Sequence, residues 1–197
     1  MKHTMRVLRY ALAIMSVPLL YQQACLAQAS EYHYRGEAFG SIGYVKVADD
    51  EGGLGGGISG GGGAGLRLTP RFGVEFEVNS LRNRTTFSGN SVEFAGSGFV
   101  ASGSGLVFLR GGRVQPYLAF GVGALHYTSD NRFPDAPRVK RSGTGAAGNA
   151  GVGTLIFINP HISLRPDLRL IAGKAGGIEV IEGPVMLRAS IGLGYHW

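Results

Sequence analysis

Seven charged residues fall on the polar alternates of otherwise apolar segments: Arg67, Glu75, Glu77, Arg165, Asp167, Arg169 and Arg188. Four arginines against three carboxylates suit two kinds of chemistry, an interlocked set of hydrogen-bonded ion pairs or the charged lining of a gated ion path. Isolated charges in a dry interior would cost several kcal/mol each, so pairing is the expectation. The other candidates are weaker. Gly55, Gly57 and Gly60 satisfy a G-x-G-x-x-G pattern, but no helix pattern follows and no G-K-[ST] exists. The run from Gly52 to Gly63 is read instead as a flexible outer loop. His33, His126, His161 and His196 are scattered without metal-ligand spacing. Asp49, Asp50 and Glu51 read as a solvated acidic loop. No cofactor, no metal and no catalytic set is expected.

The elements that must position the seven charges are strands. Val185, Leu187, Ala189, Ile191, Leu193, Tyr195 and Trp197 alternate strictly with Met186, Arg188, Ser190, Gly192, Gly194 and His196, giving one greasy and one small or polar face. Phe72, Val74, Phe76 and Val78 alternate with Gly73, Glu75, Glu77 and Asn79, and Ala64, Leu66 and Leu68 alternate with Gly65 and Arg67. A tight turn at Thr69, Pro70 and Arg71 joins those two segments and sets Arg67 diagonal to Glu75. The same grammar runs through Val114–Ala124, through Ala150–Ile156 and, after a turn at Asn159 and Pro160, through Ile162–Leu170. Residues 37–46 set Ala38, Gly40, Ile42 and Tyr44 on one face. In residues 93–109, Phe99, Val107 and Leu109 oppose Leu106 and Phe108, which calls for a bulge or a different register.

The count is eight strands. Their connections alternate between short (near 69–71, 110–113 and 158–161) and long (near 46–60, 80–92, 127–143 and 173–184), the asymmetry of a transmembrane barrel. A soluble barrel would turn its apolar face inward and spend lysine on its outer wall. Here the polar face is mostly Gly, Ser, Ala and Asn, and the only lysines beyond residue 29 are Lys46, Lys140 and Lys174. The fold expected is all-β, an eight-stranded antiparallel up-and-down transmembrane barrel whose seven lumen charges plug a narrow interior. Tyr44, Tyr117, Tyr127, Tyr195 and Trp197 lie near strand ends and are expected in the aromatic girdles at the headgroups.

Residues 1–29 read as a cleavable export signal, and residues 30–197 as the barrel domain. Lys2, Arg6 and Arg9 precede the apolar stretch Ala11–Leu20, and Ala27 and Ala29 bracket a small-x-small cleavage site. Cys25 lacks the apolar residue three positions upstream that a lipoprotein would carry, so it leaves with the signal and no disulfide is expected. Removing this segment takes three of the 19 basic residues and none of the 13 acidic ones, leaving a charge of +3. The one basic cluster that remains, Arg138, Lys140 and Arg141 in an expected loop, does not make a nucleic-acid surface.

These stretches resemble the OmpA/OmpX-like eight-stranded outer-membrane β-barrels. The likeness rests on Val114-Gln115-Pro116-Tyr117 with Gly121 and Gly123, on Gly65 to Pro70, and on the terminal Tyr195-His196-Trp197. It implies export through the Sec route to the outer membrane with both termini in the periplasm. Further implications are contact with outer-membrane lipid, with periplasmic chaperones and with the barrel-assembly machinery, for which Tyr195 and Trp197 form the assembly signal. It also implies a monomer with a structural or surface-interacting role. Two alternatives stay open: a narrow pore for ions or small solutes, and an enzyme modifying lipid A. The second rests on His161 and Ser163, similar to the His-x-Ser of outer-membrane deacylases, where they serve as base and nucleophile. Here Leu164 stands where Asn normally follows, and alternation sets both residues on the lumen side beside a turn.

Overall fold

The computed structural model describes residues 34–48, 56–87, 92–133, 136–173 and 185–197. The chain divides into Met1–Ser30 and Glu31–Trp197. The first unit, with the expected cleavage site at Ala27 and Ala29, lies outside the described residues, as do His33, Asp49, Asp50, Glu51 and Gly55.

Eight strands follow one another: β1 (Gly36–Ala48), β2 (Gly56–Arg67), β3 (Phe72–Phe87), β4 (Val92–Phe108), β5 (Val114–Phe133), β6 (Ala136–Asn159), β7 (Ile162–Gly173) and β8 (Val185–His196). Each pairs antiparallel with its neighbours, and β8 returns to β1 to close the barrel. Closure satisfies the backbone hydrogen bonds of every strand without water, which is what lets a sheet cross lipid. Among the described residues no helix is long and apolar enough to do so.

Turn chemistry fixes the short connections. Thr69 Oγ1 accepts from the amides of Arg71 and Phe72, at 3.2 and 3.0 Å. Asn159 Oδ1 accepts from those of His161 and Ile162, at 2.9 and 2.8 Å. Between β4 and β5 the chain turns through Gly112 at φ 97°, a left-handed conformation that a side chain would strain.

The alternation sorts the wall as a membrane barrel requires. Ile42, Phe76, Phe120, Val122, Leu187 and Leu193 are exposed on the outer wall, while Glu75, Glu77, Arg169 and Arg188 are buried within. On β4 and β5 the apolar outer wall runs from Phe99 to Leu109 and from Val114 to Ala124. Those lengths match the roughly 9–11 residues a tilted strand needs to cross hydrocarbon.

Three expectations are corrected. Gly56–Gly63 belongs to β2 and is not loop, paired to both β1 and β3. Glycine carries no side chain to reveal an alternation, yet the sheet needs it there. A Cβ on Gly61 would sit 2.1 Å from the Val78 carbonyl oxygen, and one on Gly63 2.1 Å from that of Phe76. Second, the expected loops at 80–92 and 127–143 are largely strand. β5 and β6 pair up to Phe133 and Ala136, so Arg138, Lys140 and Arg141 lie within β6. The outer wall there turns polar at Ser80, Arg82, Ser97, His126, Ser142 and Thr144, all exposed, so no greasy face marks the strands once they leave the bilayer. Third, β4 has no bulge: its pairing with β3 and β5 is continuous, and Leu106 and Phe108 simply point inward.

Candidate functional site

The interior is built in three layers. Towards the long connections, Val45, Leu81, Val100, Leu125, Ala147, Ile171 and Met186 form one buried apolar cluster. Towards the short turns, Tyr34, Leu106, Phe108, Tyr117, Ala119, Leu155 and Phe157 form another. The charged residues lie in the lumen with these two plugs.

Arg169 is the hub of the ionic layer. Its Nη2 lies 2.7 Å from Glu75, its Nη1 3.1 Å from Glu77 and its Nε 3.0 Å from Asp167. Arg188 reaches Glu77 at 2.9 Å and Asp167 at 3.4 Å. Arg165 pairs with Glu75 and with Glu37, donates from Nε to the Tyr117 hydroxyl at 3.0 Å and covers the Phe39 ring at 4.1 Å. The Tyr117 hydroxyl in turn donates a hydrogen bond to Asp167 Oδ2 at 2.8 Å, tying the aromatic plug to the ions. In a low-dielectric interior such a set is favourable only as a whole, because removing one member strands its partners.

Of the seven residues singled out from sequence, the structure links Glu75, Glu77, Arg165, Asp167, Arg169 and Arg188 into this one network. Arg67 stands apart. Its pairing position is diagonal to Glu75, but its guanidinium lies at the turn end, donating to Gln115 at 2.6 Å, to the Tyr34 hydroxyl at 3.1 Å and to the Pro70 carbonyl at 2.6 Å. It stacks over Phe108 at 3.7 Å and has no carboxylate partner among the described residues. Glu37 is the carboxylate missed. Its place on the face of β1 opposite Ala38 was the available signal, and with it four carboxylates meet the three arginines of the network, Arg165, Arg169 and Arg188.

Two further placements are corrected. Tyr117 is buried in the lumen and Tyr127 packs against the loop-side apolar cluster, so neither belongs to the outer girdle, whereas Tyr44, Tyr195 and Trp197 are exposed. His161 is exposed at its turn, stacked near Tyr195 at 6.1 Å, and does not share the lumen with Ser163. Ser163 meets a different histidine: its Oγ is 2.7 Å from His196 Nε2, while His196 Nδ1 lies 3.6 Å from Glu37 Oε2. The order serine, histidine, carboxylate resembles a nucleophilic triad, but Ser163 and His196 are fully buried. The Tyr34 and Phe157 rings flank the imidazole at 4.5 and 4.7 Å, leaving no approach to the hydroxyl. Gly57 and Gly60 are wall residues of β2, and no cluster among the described residues has the composition of a metal site.

A closed eight-stranded barrel, apolar outside and filled inside by charges, defines an integral outer-membrane β-barrel with a salt-bridged, mostly closed lumen. The chain belongs to the outer membrane protein beta-barrel domain family, whose model matches residues 11–183. The fold is similar to Ail, the attachment invasion locus protein of Yersinia pestis, solved with the heparin analogue sucrose octasulfate. That match has 17% identity, covers 83% of this chain and 99% of that one, and has a TM-score of 0.58. Neisserial surface protein A is similar at 15% identity, 82% and 97% coverage and TM-score 0.55. The N-terminal barrel domain of Pseudomonas aeruginosa OprF is similar at 15% identity, 83% and 98% coverage and TM-score 0.51. No curated protein sequence matches the chain.

Proposed function

We propose that this barrel is a non-enzymatic surface-contact protein of the outer membrane, anchored by a sealed lumen and making its contacts through the β3–β4 and β5–β6 hairpins. The charge distribution at the long-connection end carries this reading. Between Ser80 and Phe99 stand Arg82 and Arg84 against Glu93. Between Leu125 and Gly145 stand Arg132, Arg138, Lys140 and Arg141 against Asp130 and Asp135. The other two long connections are acidic, with Asp49, Asp50 and Glu51 in one and Lys174 against Glu179 and Glu182 in the other. The surplus positive charge thus gathers on the two hairpins whose strands run furthest past the apolar band, where it would attract a polyanion. Ail, bound to a sulfated sugar in its structure, offers a parallel for that ligand class. Sec export, periplasmic termini, a monomeric state, and a Tyr195–Trp197 signal read by chaperones and assembly machinery during biogenesis belong to the same reading.

The test is fluorescence anisotropy of labelled sulfated oligosaccharide with the protein in micelles. Binding should weaken with salt, fail for a neutral oligosaccharide and disappear in the Arg138→Glu, Lys140→Glu, Arg141→Glu triple variant. Equal binding by the triple variant, or none by the parent, contradicts the proposal.

A further inference from the structure

Seven of the barrel's eight strand pairings join strands consecutive in sequence, so a connection constrains their register. The β1–β8 pairing joins the two ends of the barrel and has none. Side-chain alternation forbids a slip of one residue there, because every greasy position would turn inward. It does not forbid a slip of two.

Shape does not forbid it either. The inner face of the seam pairs Phe39 with Gly194, Ser41 with Gly192, Gly43 with Ser190 and Val45 with Arg188. Sliding β8 by two residues would set Phe39 against Gly192, Ser41 against Ser190, Gly43 against Arg188 and Val45 against Met186, so no two aromatic or charged side chains would meet. The register must therefore be read by specific polar contacts. At the turn end, Glu37 and His196 face each other directly in the pairing. His196 is the last inward-pointing side chain of β8, and its imidazole meets four other segments. It contacts Ser163 of β7 at 2.7 Å and Glu37 of β1 at 3.6 Å, and it packs on Phe157 of β6 and on Tyr34 just before β1. Glu37 Oε2 and His196 Nδ1 are both buried and, at 3.6 Å from each other, neither makes a hydrogen bond, so the two polar atoms face one another across the seam without a closer partner. Glu37 Oε1 is held by Arg165, which links the pair to the ionic layer.

We infer that Glu37 is the register key of the closing seam: its contacts with His196 and Arg165 are made only when the β7–β8 pair seats against β1 in the native alignment, and Ser163 aims the imidazole towards it. In the slipped alignment Glu37 would face Gly194, losing its approach to His196 and its ion pair with Arg165, while the Ser163–His196 contact would travel with the β7–β8 pair. Buried polar groups that fix register at the expense of raw stability have this logic elsewhere in protein architecture.

Cysteine pairs read the alignment directly. Gly40 and Leu193 are partners on the outer wall, and a Cβ on Gly40 meets nothing nearer than 3.9 Å. In a Cys25→Ser background, Gly40→Cys with Leu193→Cys reports the native register, and Gly40→Cys with Ile191→Cys reports the slipped one. After refolding into micelles and oxidation, the parent should cross-link through the native pair. His196→Ala should raise the slipped product by about fivefold or more, the equivalent of losing roughly one buried hydrogen bond of about 1 kcal/mol. Ser163→Ala and Glu37→Gln, which preserve shape, should raise it in the same direction, and they decide the matter if His196→Ala does not fold. Slipped product unchanged from the parent in the variants that fold would overturn the inference.

Discussion

The two walls of this barrel use the same residue for opposite reasons. On the inner wall a Cβ would collide: at Gly123 it would lie 2.0 Å from the Ala101 carbonyl oxygen, and at Gly121 2.3 Å from Ser104 Oγ. On the outer wall Gly103 has nothing within 4 Å of that position, and Gly105 and Gly148 nothing nearer than 3.9 Å. The inner glycines are therefore a steric requirement of a narrow lumen already filled by arginines and aromatic rings. Outer glycines such as Gly103, Gly105 and Gly148 are tolerated, because lipid conforms to a smooth wall as readily as to a rough one. Gly62, where a Cβ would lie 2.5 Å from the Phe39 carbonyl oxygen, is by contrast an outer position that also needs glycine. The high glycine content, 34 of 197 residues, thus has two causes that composition alone merges.

The contrast can be broken most forcefully from inside. Arg169→Met leaves Glu75, Glu77 and Asp167 short of their shared partner and should cost about 3–5 kcal/mol, read by urea unfolding in micelles. A charge placed on the outer wall probes the same asymmetry from the lipid side. Phe120→Arg should cost about 2–4 kcal/mol if the position lies near the bilayer midplane, with the loss appearing in bilayers and shrinking in detergent. Gly123→Ala should cost about 1–3 kcal/mol through overpacking, measured in the same unfolding series. At the small end, Gly103→Ala should stabilise by about 0.5–1 kcal/mol, since the unfolded chain loses freedom while the folded wall has room. A destabilising Gly103→Ala together with a neutral Gly123→Ala would reverse the assignment of the walls.

The sequence made the membrane-spanning part legible because greasy and polar residues alternate wherever a strand separates lipid from lumen. β8 and the β2–β3 turn could be read almost residue by residue, and parity alone set Glu75, Glu77, Arg165, Asp167, Arg169 and Arg188 on one inner face. Legibility failed wherever that contrast vanishes. Gly56–Gly63 offers few side chains to compare, and the upper ends of β3–β6 are polar on their outer wall, where the lower strands are greasy. Leu106 and Phe108 are apolar and yet internal, because the lumen is sealed by grease at both ends, so they imitated a bulge. Glu37 escaped because β1 carries mostly small residues opposite it, and the partnership of Ser163 with His196 depends on a pairing across strands that no local spacing encodes.

The central claim is that charged and apolar layers together seal the interior. Conductance of the purified protein across a planar bilayer tests it most directly. The sealed lumen predicts a silent membrane at potentials that keep the bilayer intact, with no discrete steps from properly folded protein. Reproducible single-channel steps that change size when Arg169 or Arg188 is neutralised would show a continuous water path through the ionic layer and contradict the account.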